Sequence, residues 1–148
     1  MSEAQQLSAQ YEELAEEVQE LQQVVAQLDA TIEGCENAKE TLENVEDGDE
    51  ILVPLGGETK LRATVESADE VLVGVGADVT VELGQEDAVE SLDEKIEDLE
   101  ESKSETEAKL EDRRDQIEEI EQRAQQMQAR QQQQQGRGGG PGRGPEGE

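Results

Sequence analysis

The 148-residue chain has no histidine, no tryptophan and no phenylalanine, and it carries one tyrosine and one cysteine. Without histidine, and with Cys35 alone, neither a disulfide framework nor a Cys/His zinc site can be built within one chain. With an apolar share of 32% and almost no aromatics, the chain lacks the large apolar side chains of an ordinary compact core. A long helical hairpin needs less, because it buries only a stripe. No apolar run approaches the roughly 20 residues of a transmembrane helix. The opening MSEAQQLSAQ has neither the basic nor the apolar region of a signal peptide. These absences lead to the expectation of a soluble, cytoplasmic protein of one domain.

Bases are scarce as well. Twelve Lys and Arg face 40 Asp and Glu, for a net charge of −28. Such a surface repels nucleic acid and anionic membranes, so neither is expected as a partner. It also repels itself, most strongly where salt is too dilute to screen it. The balance suggests a halophilic source; an acidic coiled coil is the plainer alternative.

Chemistry is correspondingly thin. Acidic pairs such as Glu12-Glu13, Glu16-Glu17 and Glu100-Glu101 recur along solvent faces of helices, where no pocket would shift a carboxyl pKa or exclude water. GVGADV at 74–79 begins like a phosphate loop but lacks the third glycine and leads into a strand, and no G-x-x-x-x-G-K-[ST] occurs. Cys35 falls on an apolar seam, where it reads as a small buried hydrophobe more readily than as a reactive thiol. The expectation is no enzyme, no cofactor and no metal.

What the sequence does contain is periodicity. Leu7, Tyr11, Leu14, Val18, Leu21, Val25, Leu28, Ile32 and Cys35 alternate steps of four and three; Lys39 interrupts and Leu42 resumes. This is a heptad seam. Ser2 and Gln5 fit a capping box, and Asp47-Gly48 fits a helix stop, predicting a helix over about 3–47. After Gly84 the alternation returns in Leu92, Ile96, Leu99, Lys103, Thr106, Leu110, Arg113, Ile117, Ile120, Ala124 and Met127, predicting a helix over about 86–131. Polar seam residues lower stability but can fix register. An antiparallel pairing with Leu42 opposite Leu92 brings Leu7 opposite Met127.

Between the helices, at about 50–83, the period changes to two. Ile51, Val53 and Leu55 alternate with Leu52 and Pro54 before the Gly56-Gly57 turn. Leu61, Ala63 and Val65 follow, then Val71, Val73 and Val75, then the Gly76-Ala77-Asp78 turn, then Val79, Val81 and Leu83. Two β-hairpins in sequence are predicted. Four short strands cannot close a stable core alone, and exposed strand edges invite pairing with other chains. The block therefore reads as an assembly device to which several chains contribute. From about residue 132 the QQQQQ run and GRGGGPGRGPEGE read as a disordered tail, 132–148, set apart from a folded region 1–131. Two arginines among its glycines, without aromatics, are only a weak hint of RNA binding, and a solvated tail is the preferred reading.

A helix, ILVPL running into a glycine turn, VLVGVGADVTVE, then a second helix: this succession, over about residues 5–130, resembles the alpha class of archaeal prefoldins, whose members carry two hairpins where the beta class carries one. The fold class expected is mainly α, a long antiparallel coiled-coil hairpin with two small β-hairpins at the helix junction that oligomerise into a shared β-barrel platform. The resemblance implies an ATP-independent holdase that captures unfolded client proteins at the coiled-coil tips and passes them to a group II chaperonin. It further implies a hexamer of two alpha subunits with four prefoldin beta subunits. Client-binding candidates at the tips are Leu7, Tyr11, Leu14, Ile117, Ile120, Ala124 and Met127. Assembly candidates are Ile51, Val53, Leu55, Leu61, Val65, Val71, Val73, Val75, Val79, Val81 and Leu83. A structural coiled-coil spacer without client binding, and a prefoldin-like subunit of a dedicated assembly complex, remain the competing readings.

Overall fold

The computed structural model describes residues 2–139. In chain order the elements are α1 (Glu3–Asn44), β1 (Glu50–Gly56), β2 (Thr59–Thr64), β3 (Val71–Gly76), β4 (Val79–Leu83) and α2 (Gln85–Gly139). The fold is mainly helical, with two long helices and two small antiparallel hairpins. The described residues fall into two compact units, one of 2–25 with 105–139 and one of 26–104.

The capping box forms as its sequence requires. The Gln5 amide donates to Ser2 Oγ at 3.2 Å, and the Ser2 amide donates to Gln5 Oε1 at 3.1 Å. Two amides that the first turn would leave without partners are thereby satisfied. Within the helices the seam positions sort by burial as the four-three spacing predicts. Leu7, Ile32, Cys35, Leu92 and Leu110 are buried, and the remaining apolar seam residues are half-buried, except Tyr11 and Ala124.

The charged seam positions Lys39, Lys103 and Arg113 form ion pairs that run from helix to helix. In the 26–104 unit, Lys39 Nζ lies 2.6 Å from Asp93 Oδ1, and Lys103 Nζ lies 2.6 Å from Asp29 Oδ1. In the other unit, Arg113 Nε donates to Glu17 Oε2 at 2.7 Å. In each unit, rising number on α2 meets falling number on α1, so the pairing is antiparallel. A shift by one turn would leave these half-buried cations without their carboxylates, and this is how a polar seam fixes register. The hydrogen bond and charge of Asp93 hold the Lys39 ammonium above the ordinary lysine range.

At the junction the start of α2 follows the periodicity and the end of α1 differs from it. α1 stops at Asn44, not near 47, because the Glu46 amide leaves the helix ladder and donates to the Asp49 carboxylate at 2.8 Å. Gly48 does take the left-handed conformation expected of it, at φ 89°. α2 begins at Gln85, whose amide donates to Asp69 Oδ1 at 2.9 Å. Its side chain turns back, donating to the Val45 carbonyl at 3.1 Å and also to that of Leu42. The Asp47 carboxylate accepts from the Ala68 amide at 2.6 Å. One set of side chains thus satisfies the end of α1, the loop after β2 and the start of α2. Replacing Asp69 with Ala removes the cap on α2. A loss of about 1 kcal/mol is expected, read as a lower urea midpoint at unchanged slope. An unchanged midpoint would show that water satisfies the Gln85 amide equally well.

The sequence reading ends the second helix near 131 and starts disorder at 132; α2 instead continues through the glutamine run to Gly139. Glutamine is a good helix former, and no glycine interrupts before Gly136, so a helix already nucleated upstream propagates through the run. Residues 140–148, the rest of the expected tail, lie outside the described residues.

The β block forms two separate two-stranded antiparallel sheets, β1–β2 and β3–β4. Val65, read as the end of a strand, lies one residue past β2, where its amide and carbonyl bond to Asp49 and Gly48. The hairpins repeat each other at an offset of twenty residues. Leu52, Val53 and Gly56 recur as Leu72, Val73 and Gly76, and both hairpins slip register at the same place, between 54 and 56 and between 74 and 76. Their two-residue loops, Gly57-Glu58 and Ala77-Asp78, have matching positive φ values of 57° and 62° against 50° and 61°. Positive φ at both loop positions is the turn that suits right-twisted hairpins.

Candidate functional site

Two surfaces gather the candidate residues, one in each unit. In the first unit, Leu7, Tyr11, Ile120, Ala124 and Met127 line one groove, with Ala4, Ser8, Glu121, Gln128 and Gln131 around them. Five of the seven tip candidates therefore meet. Their meeting follows from the antiparallel seam, which sets the start of α1 against the later part of α2. Tyr11 is 41% exposed although it occupies a seam position. It stands open to solvent beside Ile120, Ala124 and Met127. Leu14 and Ile120 line a neighbouring cleft that is polar, walled by Glu13, Glu17, Arg113, Glu119 and Arg123. There Arg113 also reaches Asp112 Oδ2 at 2.5 Å, and Gln116 donates to the same oxygen at 2.9 Å. Ile117 is half-buried in the seam and lines neither.

In the second unit the hairpins leave apolar side chains in water. Directly paired residues of an antiparallel sheet share a face. One face carries Ile51, Val53, Leu61 and Ala63 on the first hairpin, and Val71, Val73, Val81 and Leu83 on the second. On the second hairpin this face is turned inward: Val73 is buried and the other three are half-buried. Val73 is thus largely covered by its own chain, and Val65 is half-buried. Ile51, Leu55, Leu61, Val75 and Val79 are exposed. The most exposed of all, Leu72 at 72%, and Leu52 at 58%, stand on the opposite face and are absent from the sequence candidates. Their signal was present, since a leucine in the polar phase of an alternating strand has no reason to be there unless both faces are used.

No group of three or more Cys, Asp or Glu among the described residues is placed to hold a metal ion. No described helix is long and apolar enough to cross a membrane. Cys35 is a buried free thiol inside the seam.

A protein-family profile described as prefoldin subunit matches residues 14–130, from the first helix through both hairpins and most of the second. The chain belongs to the prefoldin family. Prefoldins are non-enzymatic chaperones that assemble from several subunits, so a chaperone-type role and assembly with other prefoldin subunits come with membership. Among solved structures, a filamentous prefoldin from Methanocaldococcus jannaschii is similar at a TM-score of 0.65 and 25% identity, covering 76% of this chain and 95% of that one. No curated protein sequence matches. The two-hairpin block between two long helices is thus a prefoldin arrangement.

Proposed function

We propose that this chain is an alpha-class subunit of an ATP-independent holdase that works in the cytoplasm. It takes up non-native proteins at the groove of Leu7, Tyr11, Ile120, Ala124 and Met127 and releases them to a group II chaperonin. Its hairpins join it to four beta subunits and a second alpha subunit. The observation that carries the reading is the groove itself. Around a buried Leu7, Tyr11 and Ala124 are exposed and Ile120 and Met127 half-buried. A seam end with few stabilising layers opens at low free-energy cost, and opening offers those side chains to the exposed apolar groups of a client. Met127 adapts to varied partners. The two hairpins support the alpha class, and the acid-rich surface supports a halophilic setting.

The test is a tagged pull-down from native extract at high salt, followed by the mass of the complex and its suppression of client aggregation. Two copies with four of a smaller coiled-coil subunit, protecting a denatured enzyme from aggregation without ATP, are expected. A homo-oligomer that protects nothing would leave a structural spacer.

A further inference from the structure

Charge is unevenly spread along this chain. Residues 122–145 hold four of its 12 bases, Arg123, Arg130, Arg137 and Arg143, and no Asp or Glu. The remainder carries all 40 acids against eight bases. A net charge of −28 therefore hides a cationic stretch late in the chain. Three of the arginines, at 123, 130 and 137, recur at steps of seven on a helix that runs to Gly139. Steps of seven keep successive positions on one face of a helix, about 10.5 Å apart. Glutamine takes nine of the 14 positions from 122 to 135, so the polar residues between the arginines bring no neutralising carboxylate.

This row adjoins the apolar groove. Ile120, Arg123, Met127 and Arg130 follow one another at steps of three and four, which makes them neighbours along one stripe of α2. Ile120 and Met127 line the groove. Arg123 and Arg130 are exposed, and among the described residues neither side chain forms an ion pair or a hydrogen bond. Glu13 and Glu119 share a cleft with Arg123, yet neither pairs with it. Arg113 in the same cleft is by contrast tied to Glu17 and Asp112. An unpaired guanidinium keeps its donors for an incoming carboxylate, which it can grip through two parallel hydrogen bonds. From this we infer that the late part of α2 selects what enters the groove by charge. The preferred segments are those of a non-native polypeptide in which Asp or Glu flanks apolar residues. Their carboxylates meet Arg123 and Arg130, with Arg137 next in the row, and their apolar side chains meet Ile120 and Met127. The inference rests on the groove as the site of client capture and adds the chemistry of the client. A nucleic acid fits less well. Residues 122–148 contain no aromatic on which a base could stack. A duplex carries a charge every 1.7 Å or so, and one reaching past the row would meet the acids of the remaining chain.

Two dye-labelled peptides test it, one repeating Leu-Ala-Glu-Glu and one with Gln in place of every Glu. Their binding to the full chain is read by fluorescence anisotropy, in KCl just sufficient to keep the chain folded by circular dichroism. The wild type should hold the Glu peptide about tenfold more tightly than the Gln peptide, the combined effect of a few exposed ion pairs. The variant Arg123→Gln/Arg130→Gln/Arg137→Gln introduces the residue that already fills the stretch and keeps its helix propensity. It should erase the difference while leaving affinity for the Gln peptide unchanged. Equal affinity of the wild type for both peptides, or a variant that weakens both alike, would overturn charge selection. Tighter binding of a single-stranded oligouridylate than of the Glu peptide would overturn it too, assigning the arginines to phosphates. A smaller native mass of the variant would also overturn it, assigning them to a contact between copies. Suppression of aggregation of a denatured enzyme separates the two readings. A wild type that protects the enzyme but binds both peptides equally loses only charge selection, whereas one that protects nothing and binds neither peptide loses client capture as well.

Discussion

A chain lacking residues 1–14 and 117–148 is expected to lose its suppression of client aggregation while keeping the mass of its complex. The cut removes Leu7, Tyr11, Leu14, Ile117, Ile120, Ala124 and Met127 together, and with them the whole apolar groove. It leaves the Glu17–Arg113 pair and the buried Leu110 in the first unit. It also leaves the second unit intact, including Ile32, Cys35 and Leu92, both ion pairs and both hairpins. Folding and assembly should therefore persist, which circular dichroism and native mass would confirm. Light scattering from a denatured enzyme should then match a sample without chaperone. The milder Tyr11→Ser change removes the one large apolar side chain of the groove that is exposed. It should weaken client binding by about tenfold, the value of burying one large side chain part-way. Full protection by the truncated complex would place client capture elsewhere, and the exposed leucines of the hairpins would be the next surface to test.

The seam and the hairpins were legible in the sequence because each is a local repeat that burial enforces. Periods of 3.5 and 2 leave few alternatives once the apolar positions are written out, and Ser2 with Gln5 specified a cap within four residues. The junction was not legible. Asp69 caps a helix that starts sixteen residues later, and Gln85 closes one that ended forty residues earlier. Such contacts depend on how the hairpins bring the chain back, and spacing along the sequence does not carry that. Lys39, Lys103 and Arg113 read as interruptions of the seam, since their carboxylate partners lie on the other helix in positions that look like ordinary surface acids. The end of α2 failed for a different reason. A low-complexity run reads as disorder by composition, but glutamine favours helix once a helix leads into it. As for the candidate site, the groove followed from antiparallel register alone. Leu52 and Leu72 fall outside the assembly candidates because alternation along a strand assigns only one face to burial.

The second large effect concerns salt. Thermal stability is expected to rise by roughly 10 °C between about 0.01 M and about 1 M KCl, the range in which the Debye length falls from about 30 Å to about 3 Å. Two electrostatic contributions compete. Forty acids against twelve bases repel over the whole surface, and that repulsion acts across many long distances that salt screens first. The attractive pairs are few, at 2.6 to 2.7 Å across the seam, and their cations are about two-thirds covered. Short, partly covered pairs are screened much less than distant exposed charges, so added salt removes more repulsion than attraction and the folded state gains. Chloride, not sulfate, is the appropriate anion, because sulfate also strengthens apolar burial by exclusion. A matched variant separates the causes. Changing the exposed Glu12, Glu13, Glu16, Glu97, Glu100 and Glu101 to Gln lowers the negative charge by six and leaves the Lys39–Asp93, Lys103–Asp29 and Arg113–Glu17 pairs in place. It should raise the melting temperature in dilute salt and change it little near 1 M. A melting temperature that falls as KCl rises, or a glutamine variant equally stabilised at both ends of the range, would mean that the seam pairs or helix propensity, and not surface repulsion, set the salt response.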